Sequence, residues 1–161
     1  MAAQLANIAA GRWVQWVIDV DEASTYPNAA LVIVLLTTSE TLEVLRDYDS
    51  LGAVLAAANT EAAFLNYVRK VLVAADIATP APDDTDNRYE ILLPSVTWTA
   101  AGGGPDETLT KLVLCYDRDT TSGTDNDILP IGFFDFAYTT SGIDLTAQVP
   151  ITGVGTAGST T

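Results

Sequence analysis

The sequence predicts a mainly β fold: an antiparallel β-sandwich or jelly-roll-like single domain with an N-terminal helix and one short internal helix. Three observations carry that prediction. Residues 109–116 are apolar, β-branched and aromatic, residues 131–138 alternate around Phe134 and Phe136, and a loop of Asp, Thr, Ser, Asn and Gly joins them. Residues 29–37 form a near-continuous apolar run, the pattern of a strand covered on both faces. Elsewhere, short strand-like runs are separated by turn signals, and they do not alternate with long helices as βαβ units do.

In order along the chain, Leu5, Ile8, Ala9, Trp13, Trp16, Val17 and Val20 fall at helical spacing and predict a helix over residues 2–20, with Gly11 as its weak point. Val14, Trp16, Ile18 and Val20 also alternate as a strand would. Residues 1–28 then form a helix and linker, 29–150 the β-sandwich, and 151–161, built of small and polar residues, a flexible C-terminal arm. Leu42, Val44 and Leu45 fit a helical turn or a short strand. Residues 50–58 predict a short helix, with Asp49 or Ser50 as N-cap and Asn59 in the left-handed position at its end. Residues 67–73 read as a strand bearing Arg69 and Lys70, and 78–87 as an acidic loop with Pro80 and Pro82. Strand-like runs flank Pro94, which implies an edge or a bulge. Residues 101–106 make a Gly-rich turn, and residues 143–149 supply a last strand.

At 161 residues, 48% hydrophobic and 17% charged, the chain suits one globular domain with a self-sufficient core. Its early apolar run is too short to cross a bilayer, and Arg12 follows the Ala-rich start where a secretory signal would place its charge first. Cys115 is the one cysteine, so no internal disulfide forms, and synthesis in a reducing cytoplasm is expected. Net charge is −14, from 21 acidic and 7 basic residues, and only Arg69 and Lys70 adjoin. That pattern excludes phosphate-driven nucleic-acid binding and disfavours anionic membranes.

With no histidine, neither a Ser-His-Asp nor a Cys-His arrangement can form, nor a His-bearing zinc site. Cys115, inside an apolar strand, reads as core. Residues 119–123 lack the tight Asp-Thr-Gly turn of aspartic proteases, no pair of carboxylates stands out for glycoside hydrolysis, and the Gly-rich turn lacks the Lys and helix of a phosphate cradle. Asp117, Asp119, Asp125 and Asp127 are the candidate calcium ligands. An EF-hand register from Asp117 puts Ser122 sixth and Ile128 twelfth, where Gly and Glu belong, so the favoured reading is a solvated loop whose side chains cap local amides. No cofactor is expected. Trp13, Trp16, Phe133 and Phe134 are the candidate interface residues; the two adjacent Phe point to opposite faces of a strand, so one can meet a neighbouring subunit.

Residues 67–72 (YVRKVL), 81–89 (APDDTDNRY), 96–102 (VTWTAAG) and 112–130 (LVLCYDRDTTSGTDNDILP) resemble a family of small virion structural proteins of tailed actinobacteriophages and prophages. The resemblance continues through 134–137 (FDFA) and 142–147 (GIDLTA), and more loosely to 7–12 (NIAAGR). It implies a non-enzymatic head-decoration or minor tail protein with no catalytic residues. A decoration protein would bind the major capsid protein on the outside of the head shell, as a homo-oligomer, with a trimer matching local three-fold positions. Residues 2–20 and 153–161 are then the expected inter-subunit contacts, and removal of residues 1–11 should abolish particle binding while leaving a folded domain. The alternative implied role is a tail- or fibre-associated receptor-binding module, which predicts an exposed aromatic patch.

Overall fold

A computed structural model of the chain describes residues 2–85 and 88–149, with the backbone alone at residues 83 and 88–90. The expected arm at 151–161 lies outside the described residues. The elements in order are β1 (Ala3–Leu5), α1 (Trp13–Asp21), β2 (Ala30–Thr38), α2 (Leu42–Leu45), α3 (Leu51–Ala56), β3 (Thr60–Glu61), β4 (Lys70–Leu72), β5 (Ala81–Asp83), β6 (Arg88–Glu90), β7 (Val96–Ala101), β8 (Thr108–Asp117), β9 (Leu129–Thr139) and β10 (Ile143–Ala147). The fold is mainly β and antiparallel, as the sequence predicts.

One sheet dominates, in the order β1-β9-β8-β2-β3, with β4 also paired to β2 further along the same edge. β2 sits inside it, and residues 30–36 are all buried, because strands on both sides and layers on both faces cover them. The antiparallel register places Leu31, Ile33, Leu35, Leu112, Leu114, Tyr116 and Phe134 on one face, and Val32, Val34, Val113, Cys115 and Phe133 on the other. On the first face α1 lays Trp16 flat on Tyr116, with ring centroids 5.5 Å apart. Lys70, opposite Ile33 and so on that face, brings its ammonium 5.4 Å from the Trp98 ring, which puts the two-stranded β7–β10 sheet on the same side. Leu45, Leu51 and Val54 of α2 and α3 belong to the same core.

The start of the chain differs from its expected helix. Only Trp13–Asp21 is helical; Ala3–Leu5 is an edge strand on β9, and Asn7–Ala9 is a 3-10 turn. Gly11, at φ +76°, breaks the helix between them. Alanine's helix preference is worth only tenths of a kcal/mol per residue, about 0.5 against the alternatives here, and an isolated short helix is marginal. The sheet edge instead pairs whole backbone groups: Ala6 donates to the Ile131 carbonyl at 3.0 Å and Asp135 to the Ala2 carbonyl at 2.8 Å. Ala6, Ala9, Trp16, Val17 and Val20 of this stretch lie in the common core. Removal of residues 1–11 takes away an edge strand and two buried alanines, so an intact domain is not what such a deletion leaves.

Smaller differences have local causes. Ser50 caps α3 as expected, accepting from the Ala53 N–H at 3.1 Å. Asn59 closes the other end by its side chain and not by a left-handed backbone: Nδ2 donates to the Val54 carbonyl at 2.9 Å and to Glu40 at 2.8 Å, and Oδ1 accepts from the Glu40 N–H. Residues 42–45 form a helical turn, and the strand expected over 67–73 shortens to Lys70–Leu72. Residues 81–83, expected in a loop, pair with β6.

Candidate functional site

The loop between β8 and β9 forms one wall of a cleft of about 470 Å³, and residues 25–28, which lead into β2, form the other. Asp117, Asp119 and Asp127 line it, with Tyr26, Arg118 and Ser122. The two walls are tied together: Thr120 donates to the Asn28 carbonyl through its N–H at 3.0 Å and its hydroxyl at 3.1 Å. Arg118 lies over the Tyr26 ring, 4.9 Å from its centroid.

The four loop carboxylates are each engaged, and in different directions. Asp119 accepts from the Thr121 hydroxyl at 2.6 Å, the Ser122 hydroxyl at 2.7 Å and the Thr121 N–H at 3.1 Å. The Thr121 hydroxyl, then that of Ser122, holds its carboxyl down at about 2, so these caps persist until pH falls towards that value. Asp127 accepts from the Thr124 N–H at 2.9 Å, closing the turn 124–127 that follows Gly123 at φ +91°. Asp117 accepts from the Asp119 N–H at 3.0 Å, and partial burial pushes its carboxyl up. Asp125 turns away towards the sheet, onto Arg69. The loop is thus held by the amide and hydroxyl caps its composition predicts, and among the described residues no cluster of three metal-ligating side chains converges.

Beneath the loop lies a group that sequence reasoning missed. Arg69 donates through Nε and Nη2 to both oxygens of Glu61, at 2.8 and 2.7 Å, and through Nη1 and Nη2 to both oxygens of Asp125, at 2.5 and 2.9 Å. Glu61 also accepts from the Tyr67 hydroxyl, which in turn accepts from the Leu35 N–H. One guanidinium therefore joins β3, the segment before β4 and the acidic loop. Hints to it in the sequence are the Arg inside an apolar run and Gly52 inside a short helix. Gly52 donates to the Asp125 carbonyl at 2.7 Å, and a Cβ there would collide with the Asn126 amide. Gly52→Ala should cost about 1–3 kcal/mol by overpacking this contact, read as a lowered urea midpoint. A neutral result would mean that the loop is not seated on α3.

Three of the four expected interface aromatics are buried. Phe133 and Phe134 do point to opposite faces, but they are 0% and 1% exposed, because the chain's own layers cover both faces. Trp16 is buried on Tyr116, and Trp13 is half-buried at the start of α1. Cys115 is buried, and burial pushes its thiol well above the ordinary range, so it stays protonated and inert.

Chemically, the cleft offers three carboxylates against one guanidinium, which suits a cationic group. Its hydroxyl–carboxylate pair, Ser122 on Asp119, lacks a base: a carboxyl at about 2 is a poor proton acceptor near neutrality. Comparison of the chain with family models, curated proteins and solved structures found no match in any of the three.

Proposed function

We propose that the chain is a non-enzymatic bacteriophage virion structural protein, a capsid decoration protein that binds the outside of the head shell and stabilises it. The resemblance, densest over residues 112–130, supplies the family, and the distribution of charge carries the reading. Of the 7 basic residues, Arg46, Arg69 and Lys111 are paired with the chain's own acids, and Lys70 and Arg118 lie over aromatic rings. The excess acid therefore faces outward, where it repels like copies in solution and attracts a basic surface.

A protein that binds only the assembled shell stabilises it by mass action, by about 2.7 kcal/mol at a free concentration one hundred times its Kd. Purified full chain added to shells lacking it should co-sediment with them, with occupancy falling as salt rises, and should raise the temperature at which they open. Absence of co-sedimentation at low salt, or immunogold label at the tail tip, would count against this role. The tail- or fibre-associated alternative asks for an exposed aromatic patch; among the described residues the large apolar side chains left exposed are aliphatic.

A further inference from the structure

On one side the main sheet ends at β3 and β4. β4 pairs with β2 on its inner side, and among the described residues no strand pairs with its outer side. Leu35 accepts from the Ala62 N–H with its carbonyl and donates its N–H to Tyr67, so alternate residues of β2 aim their backbone groups at this edge. By that parity Leu31 and Ile33 bond to Leu72 and Lys70, and Val71 turns its own N–H and C=O outward. Val71 is 46% exposed and Val73, the residue just past the strand, 43%; its backbone is still extended, which puts the two on one side.

Edge strands are guarded by shortness, by free charges or by proline, and β4 at Lys70–Leu72 has the first of these. Both candidate charged guards are occupied elsewhere. Arg69 is held by Glu61 and Asp125, and Lys70 is swung over Trp98 on the opposite face. The surroundings of the two valines are acidic. Asp125 is fixed beside Arg69, two positions before Val71 on the same side. Asp117 stands opposite Ala30, the neighbour of Leu31 to which Leu72 pairs, so it lies across the ladder from Val73. Asp76 comes next, accepting from the Val73 N–H at 2.9 Å.

The geometry points to β4 as a strand-addition site for an extended segment of a partner protein, with apolar residues at alternate positions against Val71 and Val73 and flanking Lys or Arg reaching the acidic loop. Charge selects this occupant over a second copy, since two chains of −14 joined here would bring their acidic loops together. The site itself stands on the edge geometry. Only the assignment of the segment to the shell protein rests on the proposed decoration role.

The test uses the full chain, with synthetic peptides alternating Val with Lys or Val with Glu as probes. The Val-Lys peptide should perturb the amides of residues 69–73 in NMR and slow exchange of the Val71 N–H. The double variant Val71→Lys, Val73→Lys should weaken it by about tenfold or more with an unchanged thermal midpoint, as both side chains are half exposed. Equal effects of the Val-Glu peptide, or perturbations scattered over the acidic surface, overturn the site. So does a chain that sediments as a dimer until the double variant separates it, or an edge that opens to peptide only when residues 150–161 are removed. The same variant on shells divides the two proposals. Undiminished shell binding by the double variant overturns the edge as the docking site. Peptide binding at β4 by a wild-type chain that ignores shells keeps the edge and overturns the decoration role.

Discussion

Trp98→Ala should destabilise the chain by about 3–5 kcal/mol, the range for removing a large buried aromatic with incomplete collapse of the space it leaves. Trp98 is 0% exposed, and it holds together elements with no strand pairing between them. Its indole N–H donates to the Val68 carbonyl at 2.8 Å, and the Lys70 ammonium rests 5.4 Å from its ring. Its neighbour across the β7–β10 ladder, Leu145, is also buried. In a domain of this length the loss corresponds to a fall of about 10 °C in Tm. Trp98→Phe keeps most of the apolar volume but orphans the Val68 carbonyl, and should cost about 1–3 kcal/mol. Urea unfolding of the two variants decides the matter; an alanine variant within about 1 kcal/mol of wild type would show that β7–β10 is not anchored through this residue.

Arg69→Met should cost about 2–4 kcal/mol at neutral pH, somewhat below the loss for breaking a fully buried ion pair, because Asp125 is 39% exposed and water screens part of it. The variant leaves Glu61 and Asp125 facing each other without their shared cation. Arg69→Lys should recover only part of the loss, since an ammonium cannot present two forks to two carboxylates. The penalty has a definite dependence on pH. Hydrogen bonding to Arg69 holds the Asp125 carboxyl below its ordinary value, so its folded pKa is depressed relative to the unfolded chain. Its contribution is therefore complete above the unfolded value of about 3.9 and is lost as pH falls through the folded one. The gap between wild type and Arg69→Met should be constant from pH 7 to about 5 and then narrow in acid. A gap that widens below pH 4 would refute this linkage.

Local patterns made much of the fold legible. The apolar run around Ile33 could be buried only in the middle of a sheet, and Ser50 could cap only the helix directly after it. The acidic loop was legible for the same reason: Asp117, Asp119 and Asp127 accept from amides within three residues, as their composition implies. The residues that failed to read correctly are those whose partner is remote. Helical spacing near Ala3 lost to the open edge of β9, more than a hundred positions away. Asn59 found Glu40 as well as the helix end next to it. Phe133 and Phe134 alternate as a strand does whether or not a second face is covered, so their burial was not in the pattern.

By itself, then, the sequence determined what short range decides: an antiparallel β scaffold, a capped acidic hairpin loop, no histidine chemistry and a strongly negative exterior. The tertiary structure alone decided which cations that exterior keeps for itself, since Arg69 meets Glu61 and Asp125 only after the sheet has brought the three together. It also decided that Trp16, Phe133 and Phe134 lie inside and that Val71 and Val73 lie partly outside. Burial and pairing over long range are properties of the closed sheet, and no local pattern specifies which edge of that sheet remains open.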